Sequence, residues 1–211
     1  MGQIAESAMI LPRMPSPIGH ALAGLAAAWA ADLVPGDRVW RTAAARASFF
    51  RRAGDGLTLT CVGLGTAADL DHLFVAHRTV THSIGAVALV AVAAAAFSAA
   101  SQRPVARITA MCAAAYATHL LLDWLGVDQY PPRGLQILWP FSREWLISNL
   151  DLFRQTARQE LLTPPVILKN ALAIVQEVAI LGPVVVALWL VRVKALAGLA
   201  SEMARRDHAP Q

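Results

Sequence analysis

Four of the six histidines of this chain stand in or beside short polar groups that also hold aspartate. Asp69-Leu-Asp71-His72 is followed closely by His77-Arg78-Thr-Val-Thr-His82-Ser, and a third group reads His119-Leu-Leu-Leu-Asp123. His20 opens the first apolar stretch. His119 and Asp123 are four residues apart, so on a helix they share one face, about 5–6 Å apart at Cβ. An imidazole and a carboxylate so placed can grip one divalent ion. Asp69 and His72, three apart, can do the same. Imidazole and carboxylate donors without thiolate suit zinc, manganese or iron in a catalytic site. Cys61 and Cys112 both lie in apolar runs and read as small buried hydrophobes. A lone histidine at a helix end is more often a solvated cap than a ligand, and one His-x-x-x-Asp pair is weak. The three groups together are hard to explain as structure alone.

Positioning these groups falls to an unusually apolar chain. Of its 211 residues, 56% are hydrophobic and 15% charged, with a mean hydropathy of +0.49. Soluble domains average about 45–50% apolar and about 25% charged. A disordered chain, a coiled coil and a highly charged nucleic-acid binder are excluded. The apolar residues gather in segments: 18–34, 56–70, 84–100, 104–127 and 171–191. The segment at 84–100 has no charge; that at 56–70 is short and glycine-dotted, the weakest of the five. A bilayer-spanning helix needs about 20 mostly apolar residues. The pattern predicts an all-α protein, a polytopic membrane helical bundle with four or five spanning helices and a His/Asp metal site at one membrane face. Residues 1–211 read as one domain, with flexible ends at 1–17 and 196–211 and a long connection at 126–170. That connection is rich in Trp and Pro and suits the membrane–water interface. The N-terminus lacks the basic opening and apolar run of a signal peptide. Asp128 and Asp151 read as ordinary loop carboxylates. Glu177, inside the last segment, reads as a helix-packing group or a further ligand.

With five crossings, His20, Asp69–His82 and His119–Asp123 all emerge on one side of the membrane. Five arginines at 37–55 mark the other side, together with the turn near 103 and the C-terminal tail. The excess of Lys and Arg there predicts a cytoplasmic C-terminus and a metal site on the outer, periplasmic face. Positive-inside topology already accounts for the arginine clusters, so no nucleic-acid partner is expected.

At these residues the chain resembles the LexA-regulated, membrane-bound, metal-dependent hydrolases of the inner membrane. The resemblance rests on GHALAG (19–24), DLDHLF (69–74), HRTVTHS (77–83) and HLLLDWLGVDQYPPRGLQILWPFS (119–142), and covers roughly residues 16–145. Ala68 and Thr79 stand where the family pattern has Pro and Gly. That family is distantly similar to zinc-dependent phospholipase C and P1-type nucleases, helical enzymes with metal clusters lined by His and Asp. Those enzymes carry a further His-x-x-x-Glu pair that this chain lacks, so one or two ions are expected, not three. The resemblance implies a multi-pass protein of the inner (plasma) membrane. It also implies hydrolysis of a phosphoester, with a lipid or membrane-derived small molecule as substrate and zinc, or manganese or iron, as cofactor. Asp69, His82, His119 and Asp123 are then the expected ligands. His20, Asp71 and His72 serve a second ion or support the first; Asp71 or Asp69 acts as general base, and His77 and Arg78 hold a phosphate oxygen. The competing reading is a non-enzymatic metal-binding membrane protein, a transporter or sensor. Transport would place ionisable residues in mid-bilayer, whereas here they lie at segment ends. There is no Gly-x-Ser-x-Gly, Walker A or His-Glu-x-x-His motif.

Overall fold

The computed structural model describes residues 15–34, 56–73, 77–129, 131–157 and 159–207, with the side chains of 72, 73 and 195–207 outside that description. The arginine-rich stretch at 37–55 and His208 lie among the remaining residues, Gly56 being the first described after that stretch. Among the described residues the chain is all-helical, with five α-helices and no strand. They are α1 (Pro17–Leu33), α2 (Gly56–Ala67), α3 (Ile84–Ala100), α4 (Val105–Leu125) and α5 (Pro164–Asp207). Each apolar segment of the sequence has become a helix. Short 3-10 turns at Ala68–Leu73 and Val80–His82 join α2 to α3.

Local chemistry explains the helix starts. The Ser16 hydroxyl caps α1 by accepting from the Gly19 amide, and Pro17 follows at the first helical position, where no amide is needed. Ser83 caps α3 in the same way through the Ala86 amide. Pro164 and Pro165 open α5, so this helix begins ahead of the apolar run at 171–191 and continues through Pro183 to Asp207.

Among the described residues two helices, α4 and the Pro164–Lys194 part of α5, are long and apolar enough to cross a membrane. At 1.5 Å per residue α5 is about 66 Å long, twice the hydrocarbon core of a bilayer; α1 and α3 reach about 25 Å, and α2 only about 18 Å. An 18-residue apolar window within Pro164–Lys194 is only 11% buried in the fold, and Leu168, Leu172, Val175 and Leu190 face outward.

Helix α1 packs against α2, α4 and α5, and α4 packs against α1, α2 and α3. Small side chains let them approach, with Ala28, Cys61, Cys112 and Ala115 in the core. Where α1 crosses α2, Gly24 and Gly65 meet; a Cβ on Gly65 would lie 2.6 Å from the His20 carbonyl oxygen. This is the close backbone approach that small residues permit between apolar helices.

Contacts at both ends fix α1 against α5. The Ser16 amide donates to Glu177 Oε1 at 2.6 Å. At the other end Arg192 lies 3.9 Å from Asp32 and sits over the Trp29 ring, while Arg107 of α4 donates to the Ala31 and Asp32 carbonyls that end α1. Helices α1 and α5 therefore run parallel. Residues 126–157 fold back over the Ser16–Glu177 end of the bundle. Val127 pairs with Phe153 and Leu135 with Leu146, and the Ile137 and Trp139 carbonyls accept from the first amides of α3. Polar side chains of α5 satisfy this irregular backbone: Asn170 bonds both polar groups of Ala157, and Gln176 bonds Arg154 and Leu152.

Candidate metal centre

The end of the bundle that residues 126–157 cover is where the helices deliver their polar side chains. His20 projects from the first turn of α1, Asp69 from the 3-10 turn after α2, His82 from the turn just before α3, and His119 with Asp123 from the last turns of α4. The His20, His82 and His119 side chains are fully buried, and Asp69 keeps 13% exposure. Asp123 is the hub of the cluster. Its Oδ2 lies 3.1 Å from His119 Nε2 and 3.5 Å from His82 Nε2, and its Oδ1 lies 3.3 Å from His20 Nε2. Asp69 Oδ1 completes the ring at 3.7 Å from His119 Nε2 and 3.9 Å from His82 Nε2.

The orientation of each ring has a cause. His119 Nδ1 faces the Gly65 carbonyl at 2.8 Å, the group that the α1–α2 crossing brings into reach. That bond places the proton on Nδ1 and turns a lone pair of Nε2 toward Asp123. His82 is held by Asp71, whose Oδ2 is 3.2 Å from His82 Nδ1. Asp71 Oδ1 is 2.6 Å from His77 Nδ1, and Thr81 donates its hydroxyl to Oδ2. Tyr116 of α4 anchors this turn by donating to the Thr81 carbonyl at 2.8 Å. The His20 and His119 rings stack at 3.9 Å.

These residues fit a divalent cation. Metal–nitrogen bonds of about 2.0–2.1 Å in a tetrahedron put neighbouring donors roughly 3.3 Å apart, and the separations here run from 3.1 to 3.9 Å. The His82 and His119 Nε2 atoms face each other at 3.1 Å. Two imidazoles that each use Nδ1 outward and aim Nε2 inward form a liganding arrangement supported by outer carboxylate and carbonyl partners. Buried deep in the fold, His20 Nε2 and both Asp123 oxygens have ionic neighbours but no well-formed hydrogen bond. Two neighbouring triads with no residue in common could hold a metal: His20, His119 and Asp123, and Asp69, His77 and His82.

Charge follows the same geometry in the turns outside the helices. Burial would raise Asp71, but the bonds from His77, His82 and Thr81 outweigh it and hold its carboxyl well below the usual carboxylate range. Burial lowers His77, opposed by Asp71. Burial would lower His82 too, yet Asp69 and Asp71 push it up to about 9.

Of the residues singled out from sequence, His20, Asp69, His82, His119 and Asp123 meet at the centre. Asp71 and His77 stand directly behind His82. The side chain of His72 lies outside the described residues. Arg78 points elsewhere: its guanidinium pairs with Asp128, whose Oδ2 also accepts the Gly134 amide at 2.6 Å. Arg78 holds φ +66, uncommon for a residue with a side chain, and the Gln136 amide clasps its carbonyl at 3.1 Å. Arg78 and Asp128 share a small cleft with Asp123, walled by Pro15, Val127 and Leu135. Asp128 is thus no ordinary loop carboxylate: it is buried and fixes Arg78 beside the centre. Its partner lies 50 residues away, so local spacing gave no sign of the pair; the one available signal was its place inside the His119–Ser142 resemblance. Glu177 binds Ser16 and stays out of the donor ring.

No curated protein and no solved structure matches the chain. A family model described as YdjM inner membrane protein matches residues 14–199, a span that takes in every residue of the centre.

Proposed function

The chain belongs to the YdjM inner membrane protein family, and from that premise we propose that it is a membrane-embedded, metal-dependent hydrolase of phosphoesters. One observation carries this reading: five His and Asp side chains from four separate stretches aim their donor atoms at one buried point beside a cleft. His20, Asp69, His82, His119 and Asp123 would hold one or two divalent ions, with zinc favoured by the nitrogen-rich, thiolate-free set. A bound ion would supply Lewis acidity and a water acidic enough to attack at neutral pH.

The chain's own residues would do the rest. Asp71, held ionised by three donors, is too weak a base to take a proton and instead orients His82 and His77. His77, fixed by Asp71 and close to Asp69 and His82, is better placed to accept a proton from the attacking water and return it to the leaving group. Arg78, anchored by Asp128, would hold an oxygen of the phosphoryl group in the cleft. The apolar outer face of α5 and the interfacial segment at 126–157 favour a lipid or membrane-derived substrate. In the membrane the five helices would alternate in direction, the short α2 returning the chain to the face that holds Asp69 and His82, and the centre would lie at the outer face.

The test is metal content and hydrolysis by the detergent-purified protein, using a phosphomonoester, a phosphodiester and a phospholipid, each with and without chelator. Chelator-sensitive turnover restored by zinc or manganese supports the reading. Full metal loading with no turnover of any substrate favours a metal transporter or sensor. No bound metal, or binding undiminished in His119→Ala, overturns the metal centre itself.

A further inference from the structure

Glu177 is a fully buried carboxylate that the donor ring does not use. It sits on α5, yet every hydrogen bond to it comes from the start of α1. The Ser16 amide donates to Oε1 at 2.6 Å, and the Ser16 hydroxyl donates to Oε2. That hydroxyl also accepts from the Gly19 amide at 3.1 Å, and the Ser16 carbonyl accepts from the His20 amide at 3.1 Å. A continuous relay therefore runs from the Glu177 carboxylate through all polar groups of Ser16 to the backbone of His20. Gly19 makes room for it: a Cβ there would lie 2.6 Å from Glu177 Oε2.

We propose that Glu177 is a positioning residue through which the last helix sets the height and rotation of His20 in the metal centre. The proposal rests on the metal reading above. Its physical content is that the first amides of a helix lack intrahelical partners and that negative charge is favoured beside them. Here Glu177 takes the Ser16 amide directly and, through the Ser16 hydroxyl that caps Gly19, braces the turn that carries His20. His20 has no outward ring bond like that of His119 to Gly65: both of its ring nitrogens lack a well-formed hydrogen bond. Its place depends on the backbone turn, on stacking against His119 at 3.9 Å and on Asp123. Of these three supports, only the turn is held from outside the centre.

The experiment compares cobalt(II) affinity and the cobalt absorption spectrum in detergent-purified wild type, Glu177→Ala, Glu177→Gln, Gly19→Ala and Arg192→Met. Arg192 fixes the same two helices at their far end, against Asp32, and so reports on general loosening. Loss of outer partners of a metal site typically lowers affinity roughly 10- to 100-fold. Glu177→Ala and Gly19→Ala are expected to weaken cobalt binding by that much and to shift the visible bands. Glu177→Gln, which keeps an acceptor oxygen for Ser16, should recover much of the loss. Arg192→Met should keep wild-type affinity and spectrum. Unchanged affinity and spectrum in Glu177→Ala overturns the proposal while leaving the metal centre standing. Equal weakening in Arg192→Met also overturns it, because the effect is then generic packing. Cobalt and zinc failing to bind wild type overturns the metal reading and this proposal with it.

Discussion

Two glycines of α2, two residues apart, should respond oppositely to the same added methyl. Gly65 meets Gly24 at the α1 crossing, and a Cβ on it would sit 2.6 Å from the His20 carbonyl oxygen and 3.1 Å from Gly24 Cα. An ordinary contact begins near 3.4 Å, so α1 must retreat by about 0.8 Å. Overpacking of this kind costs about 1–3 kcal/mol, offset by about 0.5–1 kcal/mol from replacing a mid-helix glycine. Gly65→Ala should therefore destabilise by about 1–2 kcal/mol. It should also disturb two ligands at once. The Gly65 carbonyl that orients His119 at 2.8 Å shifts, and His20 is pushed back along α1. Zinc affinity, read by competition with a chromogenic chelator, should fall roughly 10- to 100-fold. Gly63 has nothing within 4 Å of its would-be Cβ, so Gly63→Ala should unfold slightly later than wild type and bind zinc equally well. If Gly65→Ala matches Gly63→Ala in both thermal unfolding and zinc affinity, the helix crossing does not set the ligand geometry.

Asp71→Asn keeps the shape of the side chain but offers one acceptor to the two Nδ1 atoms that now face a carboxylate. Zinc affinity should drop roughly 10- to 100-fold with helical content by circular dichroism unchanged; an unchanged affinity would show that His82 is oriented by something else. Arg78→Ala should leave bound metal unaltered and slow phosphoester turnover about 100- to 1,000-fold, and a loss of metal instead would place Arg78 in the wrong role. Asp69 and Asp71 hold His82 up to about 9 against the lowering effect of burial, so at neutral pH a cation must displace its proton. Zinc affinity is therefore expected to climb with pH and level off above about 9, while a flat profile in a titration series would contradict the protonation of His82.

Helix spacing reveals partners within one or two turns, and that is what was legible in the sequence. His119 and Asp123 do face one point from the end of α4, and the positions of His20, Asp69 and His82 at segment ends did foretell a shared end of the bundle. The partners that spacing could not reveal are those joined by tertiary packing. Asp128 meets Arg78 only because residues 126–136 fold back over the turn at 77–79. Glu177 meets Ser16 only because the last helix lies parallel to the first. The start of α5 was hidden for a different reason. Lys169 and Asn170 end the apolar run when hydropathy is read along the chain, yet helix formation tolerates both, and Asn170 earns its place by bonding Ala157.

The bond between Ser16 and Glu177 spans 161 positions, so the two partners emerge at different times during synthesis. Synthesis at roughly 5–20 residues per second separates the appearance of the two partners by on the order of ten to thirty seconds. Throughout that interval all the histidine and aspartate ligands come to exist while the first turn of α1 still lacks its anchor. A chain halted before its final helix would carry every ligand and yet present an unfinished site. On the proposed metal reading, uptake of an ion would therefore follow the docking of α5 against the start of α1.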